Sequence, residues 1–170
     1  MFDALTVTGW LNEMITQLST TVVSEQPVAM IGVRRGGVDV GLYLFNGLKE
    51  LGITFDSDMG ELNIAFYRDD FSSVGLHPVV GPSHVPFDVT GRQIILVDDV
   101  LGTGRTIRAA MNEIFDYGRP ARITLAVLVQ RTEHELPIRA DIVGKNLSVL
   151  EEEYIDLDAP NWQLNVGAKA

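Results

Sequence analysis

Residues 93 to 111 read QIILVDDVLGTGRTIRAAM, and their reading decides the fold. Ile94 to Val97 form a short apolar run rich in β-branching, bounded by Gly91 upstream and by charge downstream. That is the composition of a strand buried on both faces. Asp98 and Asp99 place two carboxylates at its carboxyl end. Gly102-Thr103-Gly104-Arg105-Thr106 follows, and then Ile107, Ala110, Met111 and Ile114 recur at helical spacing. The order is strand, acidic pair, glycine loop, helix. In open α/β sheets ligands bind beyond the carboxyl ends of strands, and a loop that opens a helix offers unpaired N–H groups and a positive dipole end to an anion. A phosphate is therefore expected at residues 102–106. Gly102 and Gly104 can take φ > 0 and let the backbone approach it closely, while Thr103 and Thr106 add hydroxyl donors.

Adjacent acids on a continuing central strand would point to opposite buried faces, at high cost. The expectation is that Asp98 and Asp99 lie where the strand is ending and accept hydrogen bonds from vicinal sugar hydroxyls. The alternative is an ordinary strand-to-helix turn with solvated acids. No Lys follows the second glycine as in a Walker loop, and the Gly-x-Gly-x-x-Gly dinucleotide fingerprint is not met.

Working outward, Trp10, Leu11, Met14, Ile15 and Leu18 share one helical face within residues 9–20. After Pro27, Val28 to Val33 reads as a second buried strand that delivers Arg34-Arg35-Gly36-Gly37 at its carboxyl end. Two arginines beside two glycines suit an anion; the alternative is a solvated turn. Leu42, Leu44, Phe45, Leu48 and Leu51 predict a helix ending near Gly52. Leu62, Ile64 and Phe66 alternate with polar or small residues as a half-buried strand running into Arg68-Asp69-Asp70. Residues 71–86 hold three prolines, two glycines and two of the three histidines, without periodicity. A loop of this kind inside a domain is usually functional or disordered. His77 and His84 are read as solvated rather than catalytic. Ile123 to Val129 is the next strand, closed by Arg131. Ile138 to Gly144 reads as a short strand with Lys145 and Asn146 after it, and Tyr154 to Leu157 as a last strand before a poorly ordered end.

At 170 residues the chain suits a single domain, 1–170, and 46% hydrophobic with 21% charged residues is the balance of a soluble globular protein. No stretch approaches a membrane span, and the amino terminus lacks the basic region of a signal peptide, so a cytoplasmic location is expected. With no cysteine, disulfides, thiolate metal sites and cysteine nucleophiles are excluded. A formal net charge of −10 opposes general affinity for nucleic acid or anionic membrane, though not for a small anion in a local basic pocket.

The 93–111 string resembles the phosphoribosyl diphosphate (PRPP) signature of type I phosphoribosyltransferases. Within that superfamily the chain resembles the PyrR family, pyrimidine operon regulators that are also uracil phosphoribosyltransferases. FYRDDFS at 66–72, the stretch 85–131 and ELPIRADIVGKN at 135–146 carry this, together with the RRGG loop. The resemblance implies an α/β fold with a mostly parallel central sheet flanked by helices, a hood built from the terminal segments and a mobile flap at about 68–86. It implies transfer from PRPP to uracil, giving UMP and pyrophosphate, with Mg²⁺ held mainly by substrate near Asp98 and Asp99. Those two acids would bind the ribose hydroxyls, and Val100 through Thr106 (Val100, Leu101, Gly102, Thr103, Gly104, Arg105, Thr106) the 5′-phosphate. Arg34, Arg35, Gly36, Gly37 and the flap residue Arg68 would take the diphosphate; Ile142, Val143, Gly144 and Lys145 would lie against the base. A homodimer or tetramer is implied. Family members that regulate by attenuation bind RNA, which the acidic composition here opposes. The alternatives are a hypoxanthine or guanine phosphoribosyltransferase and a catalytically silent nucleotide-sensing regulator.

Overall fold

The structure, a computed structural model, describes residues 1–22, 26–64, 81–150 and 152–168. Five strands form one parallel sheet in the order β2-β1-β3-β4-β5: β1 (Val28–Val33), β2 (Gly60–Leu62), β3 (Gln93–Leu101), β4 (Arg122–Arg131) and β5 (Ile142–Leu147). β1 is buried along its whole length, as its unbroken apolar run requires of a strand covered on both faces. Alternate residues feed two cores. Met30, Ile95, Val97 and Leu128 face helices α1 (Ala4–Thr21) and α2 (Gly36–Glu50); Ile31, Ile94, Leu96 and Val127 face α3 (Arg105–Tyr117). α1 begins earlier than the periodicity from Trp10 suggests, because the Asp3 carboxylate accepts the Thr6 N–H at 2.9 Å and Val7 joins the buried stripe.

Three expectations are corrected. The strand read from Leu62 towards Phe66 lies earlier, since β2 is Gly60–Leu62 and has ended before Ile64, while residues 65–66 lie outside the described residues. The strand placed at 138–144 begins only at Ile142. Before it, the Ala140 N–H is taken by Gln130 Oε1 at 2.9 Å, and Asp141 both donates its N–H to the Leu125 carbonyl and accepts the Leu125 N–H, at 2.9 and 2.8 Å. The backbone there is satisfied without a ladder, and Lys145 and Asn146 fall inside β5. The carboxyl-terminal segment is likewise ordered beyond its first strand: β6 (Glu153–Asp158) pairs antiparallel with β7 (Gln163–Ala168) across a 3₁₀ turn at Ala159–Asn161. Phe2 and Leu164 exchange backbone hydrogen bonds at 2.8 and 3.1 Å, so the amino-terminal segment joins this hairpin. No helix among the described residues is long and apolar enough to cross a membrane.

Candidate active site

The carboxyl ends of β1, β3 and β4 bring the sequence motifs together. β3 pairs with β1 only as far as Gly32 opposite Val97, because β1 ends at Val33 and its chain turns into α2. On the other side pairing with β4 continues to Leu101 opposite Gln130. Asp98 and Asp99 therefore lie within a strand, not at its end, and only one of that strand's two neighbours has gone. Asp98 is 5% exposed; Asp99 is half-buried. The cost of their burial is reduced by local bonds: Asp98 Oδ1 accepts the Asp99 N–H at 3.0 Å, and Asp99 Oδ1 accepts the Val100 N–H at 2.8 Å.

The arginine loop fills the place that β1 leaves. A methyl group on Gly36 would overlap the Asp99 carboxylate, and one on Gly37 would come within 2.7 Å of the Val97 carbonyl and 2.9 Å of Asp98 Cα. Only glycine permits this approach of loop to acids. The Arg34–Arg35 peptide is cis. Arg34 donates through Nε and Nη2 to Glu61 Oε2 at 3.0 and 2.9 Å, and the Arg35 residue is exposed. Asp39, in the first turn of α2, has its carboxyl pushed above the usual range by burial, and further by the Asp99 and Glu61 carboxylates.

The loop Gly102–Thr106 opens α3 as expected. Gly104 caps the helix at φ 93°, a conformation that favours glycine, and a Cβ there would crowd Leu136 and Ile138. Residues 134–136 buttress the loop from outside: Thr103 O accepts the N–H groups of Glu135 and Leu136 at 3.2 and 2.9 Å, His134 Nδ1 lies 2.9 Å from Gly102 O, and Arg105 Nε donates to Glu135 Oε2 at 2.9 Å. Facing the loop is a cavity of about 260 Å³, walled by Val100 to Gly104, Thr106 and Ile107 on one side and by Arg131, Glu153, Tyr154 and Ile155 on the other.

Arg131 and the β6 residues were not assigned a role from sequence. The Arg131 guanidinium donates to two backbone carbonyls, Glu153 at 3.2 Å and Leu150 at 2.9 Å. Among the described residues it forms no ion pair, and it lines the cavity beside Glu153, whereas Arg105 is paired with Glu135. The position of Arg131 at the end of a strand at the same sheet edge is a signal; the contribution of β6 leaves none, since nothing local predicts where a terminal hairpin folds back.

The side chains of the four residues expected at a base point to both faces of β5, and reading of the base by backbone groups of Val143 and Gly144 is a separate matter. Ile142 is 6% exposed and belongs to the core beneath α1, so its side chain is unavailable for stacking. Gly144 faces the same way, with its missing Cβ directed at Leu128 O and Met14. Val143 packs toward α3, and Lys145 is exposed with Nζ 6.0 Å from the Trp10 ring centroid. Arg68, His77 and most of the expected flap lie outside the described residues. His84 is exposed and its backbone bridges Glu61.

The sequence matches the phosphoribosyl transferase domain over residues 9–157. Bifunctional protein PyrR of Nitrosococcus oceani is 56% identical over 133 residues, covering 78% of this chain and 73% of that protein. Bifunctional protein PyrR of Pseudomonas fluorescens is 47% identical over 148 residues, covering 87% and 84% respectively. Among solved structures, the hypoxanthine phosphoribosyltransferase of Trypanosoma cruzi shares the fold at a TM-score of 0.70, with 15% identity and coverage of 100% of this chain and 96% of that one. A glycine-lined arginine loop against paired acids, beside a glycine loop at a helix start, is thus found in a chain that belongs to the PyrR family of phosphoribosyltransferases.

Proposed function

We propose that the protein transfers the 5-phosphoribosyl group of PRPP to uracil, forming UMP and releasing pyrophosphate. The observation that carries this reading is the convergence of three chemistries on one sheet edge: a helix-opening phosphate loop, two carboxylates, and an arginine loop pressed against those carboxylates by Gly36 and Gly37. Their order matches the order of groups along PRPP, which runs from 5′-phosphate through ribose to diphosphate. The choice of uracil is supported by family membership.

Departure of the diphosphate breaks the anomeric C–O bond and builds positive charge on the ribose. Catalysis of such a step is mainly positioning and charge stabilisation. Asp98 and Asp99 hold the ribose hydroxyls and balance the developing cation; Arg34 and Arg35 receive the diphosphate; Arg131 and the 102–106 amides fix the 5′-phosphate. Among the described residues no group of three or more His, Cys, Asp or Glu could hold a metal by itself. The oxygen donors of Asp98 and Asp99 beside the arginine loop fit Mg²⁺ that is held chiefly by the substrate and that neutralises diphosphate charge. A cytoplasmic location and assembly as a homodimer or tetramer belong to the same reading. The latter is supported by the outward-facing Phe115 and Tyr117 on α3.

The test is pyrophosphate release from PRPP with a panel of free bases. Release with uracil alone is expected. Release with hypoxanthine or guanine instead would make the protein a purine enzyme, and no release with any base would leave a nucleotide-sensing regulator.

A further inference from the structure

One arginine in each of the two proposed anion-binding loops is engaged by a carboxylate. Arg34 in the diphosphate loop is held by Glu61 of β2, and Arg105 in the phosphate loop by Glu135 of the 134–136 buttress. We propose that Glu61 and Glu135 are exchange partners: each occupies its arginine when the subsite is empty, yields it to a multiply charged phosphate, and reclaims it as that phosphate leaves. The inference rests on the proposed reaction and deepens it, because it assigns residues that set the charge selectivity of each subsite.

Three observations support exchange over permanent pairing. Both pairs are half-exposed, with side-chain exposures of 39% and 33% for Arg34–Glu61 and of 41% and 56% for Arg105–Glu135. Ion pairs so solvated are weak and open readily. Both glutamates are nevertheless fixed by backbone bonds: Glu61 exchanges two with His84 at 2.7 and 2.8 Å, and the Glu135 N–H donates to Thr103 O at 3.2 Å. The main chain that carries each carboxylate is therefore held in place whether or not its arginine is paired. Finally, a guanidinium gains little by trading one carboxylate for a singly charged anion, but more by trading it for a phosphate dianion or a diphosphate. The arrangement discourages occupancy by weakly charged anions and keeps the arginine oriented between turnovers.

The experiment is calorimetric binding of inorganic pyrophosphate, UMP and uridine to the wild type, Glu61→Gln and Glu135→Gln. Removing a competitor of this kind is expected to tighten the cognate ligand by about two- to fivefold. Glu61→Gln should tighten pyrophosphate and leave UMP unchanged, and Glu135→Gln should tighten UMP and leave uridine and pyrophosphate unchanged. Unchanged or weakened binding of the cognate anion would overturn the proposal, since the glutamates would then be supports that the bound state retains. If the wild type binds neither pyrophosphate nor UMP, the underlying reaction fails and the exchange with it.

Discussion

Replacing Gly37 with alanine adds one methyl group at the closest approach between the arginine loop and β3. The new Cβ would lie 2.7 Å from the Val97 carbonyl oxygen, 2.9 Å from Asp98 Cα and 3.0 Å from Asp98 Oδ1, where ordinary contact begins at 3.4 Å. Two of these atoms are backbone of the central strand and cannot rotate away. The start of α2 must retreat by several tenths of an ångström, taking Arg34 and Arg35 with it. Overpacking of this kind costs about 1–3 kcal/mol. For a chain of this size that corresponds to a fall in Tm of roughly 2–12 °C. Because the displaced groups are those proposed to hold ribose and diphosphate, kcat/KM for PRPP should fall by about ten- to a hundredfold. Gly9→Ala is the internal control. A Cβ at Gly9, inside α1, meets nothing within 4 Å, and alanine is favoured there by about 0.5–1 kcal/mol, so stability should rise. Thermal denaturation and pyrophosphate release measure both variants. A Gly37→Ala protein that melts and turns over like the wild type would refute the reasoning, as would equal destabilisation by Gly9→Ala.

Arg131→Gln should weaken UMP by about 10- to 100-fold, the loss of a charge-assisted hydrogen bond to phosphate, and leave uridine almost unchanged; a parallel loss of both ligands would reduce Arg131 to an anchor for the hood. Arg105→Gln should cost less, because its charge is shared with Glu135. Asp98→Asn or Asp99→Asn should lower kcat/KM on the order of 10²-fold by removing charge beside the ribosyl cation, and wild-type kinetics in both would sink the ribose assignment. Glu113, 5% exposed with Oε2 unpartnered, has its carboxyl pushed up by burial and by Asp116, against a hydrogen bond from Ser83. Its folded pKa lies above the unfolded value, so the folded state holds this proton more tightly, and stability present in acid is lost as pH rises through the folded pKa. Glu113→Gln should therefore melt higher than the wild type at neutral pH, with the gap closing in acid; a gap independent of pH would remove Glu113 as its source. Finally, with 13 Lys and Arg against 23 Asp and Glu, the chain should show no submicromolar binding of a pyrimidine-operon leader hairpin at about 150 mM salt, measured by filter binding with UMP present.

The sheet was readable wherever apolar runs were long and punctuated: Val28–Val33 and Ile94–Val97 are central strands, and the glycine loop opens α3. What misled was local accounting of polar groups. Two adjacent buried acids are costly in a strand paired on both sides, whereas β3 loses its β1 neighbour at Val97 and keeps β4 to Leu101. Ile138 to Asp141 looked like strand by composition, but side chains of Gln130 and Asp141 took over its hydrogen bonds. Sequence does not say which side of β5 faces α1, and the Ile142 side chain packs on that side. The wall opposite the phosphate loop comes from residues 153–155, whose arrival there depends on long-range packing alone.

Every pairing in the main sheet is parallel, so no two adjacent strands can form from a local hairpin: Val97 must find Ala126 across α3, and Gly32 must find Val97 across α2 and all that follows. Such connectivity places a large loop-closure cost ahead of the stabilising contacts and slows folding. The β3–α3–β4 unit, with the shortest closure about the central strand, is the natural nucleus, and it already contains both acids and the phosphate loop. The arginine loop can dock only after β1 has inserted beside β3. The half of the proposed site built from the acids and the 102–106 loop is thus expected to acquire its shape during refolding before the arginine loop, a temporal order written into the strand order.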